Sequence, residues 1–289
     1  MTSGRIRQAD APPFIADAFC DADFLGNPAG VVLLEAGFPE KASMQAAATR
    51  WALPTTAFVV RGVDGAFSIR WFTPREELNL CGHATIAAAG VLAGRGLITR
   101  GRSILFDTPF GPLLANVEAR PSAVGADRVM LDLPALTVSP CDPPAGLADA
   151  LGVDDPDCAG SLDDLIIVLP DAETVRTLSP DFRALEPMPY RGHVVTARGG
   201  GAGADFVSRS FFPAMGVDED QVCVSAHCKL APFWAERLAR SAMSALQLSQ
   251  RGGRLEVEVA GDRVRVTGGV VVRGWDAPAD ARTAGATVA

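Results

Sequence analysis

Two short stretches hold the residue types best able to move protons. The first is Asn79-Leu80-Cys81-Gly82-His83-Ala84-Thr85, and a weaker echo is Gln221-Val222-Cys223-Val224-Ser225-Ala226-His227-Cys228. In each, a Cys precedes small or polar residues and then a run with helical character. A strand-to-helix junction leaves free N–H groups and the positive end of a dipole at the helix start. That end binds carboxylates and lowers the pKa of a nearby Cys. A thiol there could transfer protons, and the imidazole of His83 could hydrogen-bond a substrate or exchange a proton near neutrality. Two such junctions predict two similar halves facing one anionic substrate. Each of these residues also has a plainer reading. Cys81 and Cys223 either do chemistry or pack as small hydrophobes, and His83 is either a substrate contact or a cap. Asp220 by itself reads as an N-cap or loop carboxylate. Arg251, in the polar turn Gln247-Leu248-Ser249-Gln250-Arg251-Gly252-Gly253, either faces a carboxylate or fixes a strand's entry.

Bulk properties set the frame for these junctions. At 289 residues the chain suits two domains. The formal net charge of −8 argues against a nucleic-acid groove or an anionic membrane as the main partner. No apolar stretch is long enough to span a membrane. The polar start of the chain lacks a signal-peptide core, so a cytoplasmic protein is expected. The six cysteines have no zinc-ligand spacing, and no metal is expected. Cys20, Cys141, Cys158 and Cys228 read as structural thiols. His227 and Glu77 also read as structural, Glu219 as a solvated neighbour of Asp220, and His193 lies in no motif. Gly199-Gly200-Gly201-Ala202-Gly203 lacks a phosphate-loop ending and reads as a hairpin.

Strands are predicted at 14–19 and 29–34, around a turn at Gly26-Asn27-Pro28, and at 56–61 and 66–72. A helix is predicted over 39–51. The run after His83 is small and aliphatic all round, which predicts a buried helix. Further strands are expected at 103–106, 113–117 and 128–133. A boundary falls between Pro121 and Ser139. The second half repeats the plan, with strands at 165–169, 194–197 and 205–210, a helix over 225–239, and strands at 255–259 and 264–272. The expected domains are 1–125 and 126–275, followed by a disordered tail over 276–289.

These segments together resemble the PhzF family, whose fold is shared with diaminopimelate epimerase and proline racemase. The resemblance rests on Asp17-Ala18-Phe19 with Gly26-Asn27-Pro28, Leu53-Pro54-Thr55-Thr56, and Trp71-Phe72-Thr73-Pro74 through Cys81-Gly82-His83-Ala84-Thr85. It continues in Arg209-Ser210-Phe211-Phe212-Pro213, in Gly216 through His227, and in the turn from Gln247. It implies an α+β fold of two similar domains, each a curved, mostly antiparallel sheet around a central helix. It also implies an active site in the interdomain cleft, a small carboxylate substrate, no cofactor and a homodimer. The site it implies contains Cys81, His83, Asp220 and Cys223 as catalytic candidates. Thr55, Asn27, Gly82, Ala84, Val224, Ser225 and Arg251 are substrate-binding candidates.

The departures from the family pattern bear on chemistry. Thr55 stands where the family carries its proton-shuttling Glu. A Thr hydroxyl is no ordinary acid or base at physiological pH, although it can donate a hydrogen bond. Val224 replaces a Gly and adds bulk while keeping its N–H. Cys223 replaces a Thr and matches the second catalytic Cys of the epimerase and racemase relatives, whose first is matched by Cys81. The expected function is a cofactor-independent isomerase that shifts a proton on a carboxylated metabolite in secondary-metabolite biosynthesis. The alternatives are a two-cysteine amino-acid epimerase or racemase, and an inactive ligand-binding relative.

Overall fold

A computed structural model describes residues 12–62, 65–118, 126–161, 163–201 and 203–274. The tail expected to be disordered and part of the expected boundary segment lie outside them. The chain forms two compact units. Unit one takes the described residues of Met1–Ala18, Pro28–Leu131 and Gly269–Ala289. Unit two takes Phe19–Asn27 and Asp132–Gly268. This differs from the contiguous division read from sequence. A nine-residue stretch near the N-terminus belongs with the second unit, and the end of the last strand belongs with the first.

The earlier elements are β1 (Phe14–Ala18), β2 (Asn27–Leu34), α1 (Lys41–Trp51), β3 (Thr56–Arg61), β4 (Phe67–Phe72), β5 (Glu77–Leu78), α2 (Gly82–Gly94), β6 (Ser103–Asp107), β7 (Leu113–Val117) and β8 (Asp127–Pro134). The later ones are β9 (Ser139–Cys141), α3 (Leu147–Leu151), β10 (Asp157–Gly160), β11 (Asp164–Val168), α4 (Ala172–Thr177), α5 (Phe182–Leu185), β12 (Gly192–Arg198) and β13 (Phe206–Phe212). They continue through β14 (Val217–Asp220), α6 (Val224–Leu238), β15 (Ala242–Gln247), β16 (Gly253–Ala260) and β17 (Arg263–Gly274).

The strand pairings repeat. In unit one, β2 and β3 run parallel, β3 and β4 antiparallel, β4 and β6 parallel, and β6 and β7 antiparallel. In unit two, β11, β12, β13, β15 and β16 follow the same sequence of directions. In both, a short antiparallel strand precedes the long helix: β5 beside β4 before α2, and β14 beside β13 before α6. The repeated plan expected from sequence is therefore present in the pairing itself.

Residues Gly82 to Ala93 of α2 are all buried. Alanine and glycine let strands approach this helix closely. A Cβ added at Gly90 would stand 2.6 Å from Val270 Cγ1, so β17 packs onto its backbone. The helix expected over 39–51 is α1, with Met44, Ala47 and Ala48 buried against Phe58 and Phe72. A fully buried side chain of Met or Phe size contributes about 1.5–3 kcal/mol. Helix α6 contains Pro232, which has no N–H to donate to the carbonyl four residues earlier. That carbonyl, on Cys228, instead accepts from Leu136 N at 3.0 Å, so the helix continues. Trp234 stacks on Phe206 and donates from Nε1 to Thr196 Oγ1 at 2.9 Å. These contacts fix α6 against β12 and β13.

Candidate functional site

In unit one the candidate residues gather where β3 and α2 begin. Cys81 is the N-cap of α2, in an extended conformation with φ −140° and ψ 102°. Its carbonyl accepts from Thr85 N at 3.1 Å and from Thr85 Oγ1 at 2.7 Å. The N–H groups of Gly82, His83 and Ala84 precede that first helical bond and stand at the positive end of the helix. Cys81 Sγ lies 3.7 Å from Thr55 Oγ1 and 3.5 Å from His83 Nδ1. Thr55 and His83 are both buried. Burial pulls the His83 pKa down from 6.5 to about 4, so its imidazole is neutral at pH 7. Thr55 is thus in contact with a thiol.

Unit two repeats this arrangement with more polar support. Cys223 is the N-cap of α6, with φ −101° and ψ 107°. Its carbonyl meets His227 Nδ1 at 2.7 Å. A carbonyl only accepts, so Nδ1 carries the proton and Nε2 is a bare lone pair. Thr85 and His227, each four residues past its Cys, serve the same purpose. Burial drops the His227 pKa to about 4, consistent with the structural role expected for it.

The loop from Asp220 to Cys223 is held from two sides. Asn27 donates from Nδ2 to Asp220 Oδ1 at 2.7 Å and to Val222 O at 3.0 Å. Gln247, fully buried at the end of β15, accepts from Cys223 N at 2.8 Å. It also donates from Nε2 to Asp220 O at 2.5 Å. Burial raises the Asp220 pKa from 3.8 to about 6, and the Glu219 carboxylate adds to the rise. Hydrogen bonds from Cys223, Asn27 and the Val222 N–H oppose it. Burial, and then the Asp220 carboxylate, push the Cys223 thiol far above its usual range, while Ser225 Oγ at 3.3 Å works the other way. The expectation that the helix start lowers this Cys pKa is therefore overturned. Desolvation beside a carboxylate outweighs the helix dipole, and Cys223 rests as a thiol.

One further expectation changes, that for Glu219, and the contacts of Arg251 and Val224 are these. Arg251 holds backbone carbonyls, donating from Nε to Gly26 O at 2.7 Å and from Nη2 to Leu25 O at 3.2 Å. Leu25 N and Gly26 N donate back to Arg251 O and Gly252 O. The polar turn therefore braces the segment that presents Asn27. Gly252, at φ +64°, is required there because a Cβ would stand 2.2 Å from the Phe24 ring. Glu219 is not a solvated neighbour. Its carboxylate takes two bonds from Arg209, at 2.8 and 3.0 Å, with both side chains mostly buried. Val224 is buried, and its N–H remains in the first turn of α6. Glu77 is structural as expected, paired with Arg70 at 2.6 Å and Lys41 at 2.9 Å.

The clamp formed by Gln247 was the feature least legible in the sequence. Its signal was a Gln ahead of Ser249, another side chain that bonds this loop, through Gln221 O at 2.6 Å. Lys229, almost fully buried on α6, also carried no motif. It meets Asp164 at 2.6 Å, and Arg191 takes the same carboxylate at 2.8 and 3.0 Å.

A strand plan used twice, each copy feeding a helix capped by Cys, defines an epimerase-like α+β protein. A probable proline racemase from Agrobacterium radiobacter shares this fold, with a TM-score of 0.59 at 13% identity over 91% of each chain. The family model for phenazine biosynthesis-like proteins matches residues 16–274, and the chain belongs to that family. A PhzF family protein from Enterococcus faecalis has a TM-score of 0.82 and 39% identity, covering 91% of this chain and 96% of that one. A Pseudomonas aeruginosa protein named an uncharacterized isomerase is 45% identical, covering 89% of this chain and 94% of its own. Among the described residues, no helix is long and apolar enough to cross a membrane.

Proposed function

We propose that this protein is a cofactor-independent isomerase that shifts a proton within a small carboxylated metabolite, with Asp220 as its principal acid–base group. The isomerase names of its relatives support the reaction class. The observation that carries the assignment to Asp220 is its environment. The carboxyl is desolvated to a pKa of about 6 and oriented by Asn27. A base with a pKa near the working pH is well matched to proton transfer. At neutral pH Asp220 is mostly ionised and ready to accept a proton.

Cys223 then acts as a thiol, donating to Asp220 or to a developing charge. This favours a carboxylate base over a two-thiolate epimerase mechanism. The tuned Asp220 also favours an enzyme over an inactive relative, since a binding protein has no need of a carboxyl desolvated to a pKa of about 6. In unit one, the N–H groups of Gly82, His83 and Ala84 are candidate carboxylate ligands. The neutral His83 and the thiol of Cys81 are candidate hydrogen-bond donors there.

The test is exchange with solvent deuterium. Small unsaturated and α-amino carboxylates are incubated with the protein in deuterium oxide and followed by proton NMR. Deuterium uptake with isomerisation is expected, falling about 10²–10⁴-fold in Asp220→Asn and less in Cys223→Ser. If Asp220→Asn keeps full exchange activity on a substrate found this way, the assignment fails. If Cys223→Ser and Cys81→Ser each abolish exchange while Asp220→Asn does not, the two-cysteine reading replaces it.

A further inference from the structure

Strand β9 pairs antiparallel with β10, and the register sets Cys141 directly opposite Cys158. Residues opposed in an antiparallel pair have Cα atoms about 4.5–5.5 Å apart and share a face. That separation falls within the roughly 4.4–6.8 Å window for a disulfide. The sulfur position agrees. Gly160 lies two residues beyond Cys158 and faces the same side. A Cβ built on Gly160 would stand 3.3 Å from Cys141 Sγ and 3.0 Å from Tyr190 Oη. The Cys141 sulfur therefore already lies over β10 on the face of Cys158. The Cys158 sulfur is turned toward Pro156 O at 3.6 Å, so closure takes rotation of both side chains about their Cα–Cβ bonds. Both cysteines are free thiols.

We propose that Cys141 and Cys158 are a peroxide-oxidisable thiol pair that closes to an intramolecular disulfide across the β9–β10 ladder. The two cysteines differ in a way that orders the steps. Cys141 is partly exposed, whereas Cys158 is buried. Burial, with Cys141 nearby, pushes the Cys158 pKa up to about 11. Cys141 therefore meets the oxidant first and Cys158 resolves it. The Cys141 thiolate attacks one oxygen of hydrogen peroxide, the O–O bond breaks, and the departing hydroxide takes a proton to become water. Cys141 is left as a sulfenic acid. The Cys158 sulfur, losing its proton, attacks the Cys141 sulfur. The S–O bond breaks, a second water leaves, and one S–S bond forms. Two thiols lose two electrons in total, and peroxide is reduced to two waters. The site is distinct from the proposed catalytic groups and does not depend on their assignment.

The experiment uses the full-length native protein. It is titrated with hydrogen peroxide, alkylated under denaturing conditions and digested with trypsin. No Lys or Arg occurs between Val129 and Val175, so both cysteines fall in the single peptide ending at Arg176. That peptide is expected to lighten by two hydrogens and refuse the alkylating agent before the other cysteines react. Dithiothreitol should restore it. In Cys158→Ser, dimedone should trap a sulfenic acid on Cys141. A peptide that keeps two alkylatable thiols while the other cysteines oxidise would overturn the proposal. So would over-oxidation of Cys141 to a sulfinic acid with Cys158 still reduced.

Discussion

Replacing Asp220 by Asn should make the protein more stable at neutral pH. The folded carboxyl has a pKa of about 6 against an ordinary 3.8, so it holds its proton more tightly when folded. Between about pH 4 and 6 the folded state binds more protons than the unfolded one, and stability falls as pH rises through that window. Above it the whole deficit is present. A rise of about two pKa units at ~1.36 kcal/mol each sets a ceiling of about 3 kcal/mol. The residue keeps some exposure, and solvent screening reduces the expected gain to about 1–2 kcal/mol. The amide oxygen of Asn can still accept the bond from Asn27 Nδ2, so the variant removes the charge and keeps the contact. The assay is thermal unfolding followed by circular dichroism, for wild type and Asp220→Asn, from about pH 4 to 8. The variant's midpoint should exceed the wild type's by roughly 2–10 °C near pH 7.5 and converge with it near pH 4. A variant no more stable at pH 7.5, or a difference independent of pH, would refute the claim that Asp220 is a desolvated carboxylate retained at a cost to the fold.

Other consequences are open to direct measurement. All three histidines have pKa values lowered by burial, His83 and His227 to about 4. The resonances of His83 and His227 should therefore not titrate near pH 6.5, and the histidines' own contribution to stability should fall as pH drops from there toward 4, opposing that of Asp220; an NMR titration of either with a midpoint near 6.5 contradicts this. Lys229→Met leaves the buried Asp164 with Arg191 as its remaining strong partner and should cost about 3 kcal/mol in urea unfolding. A loss below about 1 kcal/mol would mean that Arg191 suffices. Gly90→Ala should destabilise by about 1–3 kcal/mol despite the better helix propensity of Ala, because of the 2.6 Å approach of Val270. Adding Val270→Ala should recover part of that loss, and strict additivity of the two changes would argue against their contact.

The sequence determined the repeat and its landmarks. Period and turn chemistry were sufficient to find β1 to β4, α1, α2, α6 and the last two strands, because these long elements carry their burial pattern locally. Short elements such as α3, β10 and β14 escaped, since a few residues make no period. The Cys-led junctions at Cys81 and Cys223 were also legible, because a Cys before small residues and a helical run is a local signal. The electrostatics of the junctions were not legible. The helix start alone argued for a lowered thiol pKa, yet Cys223 is raised. Its desolvation depends on packing, and its carboxylate neighbour is held by Asn27, which is remote in sequence. Arg251 could not be assigned to ligand or backbone until the turn folded onto Leu25 and Gly26. Residue type and spacing determined which groups are present. Only the tertiary structure decided which of them are dry, which are braced and which protons they hold, because desolvation and long-range hydrogen bonds arise from residues distant in the chain.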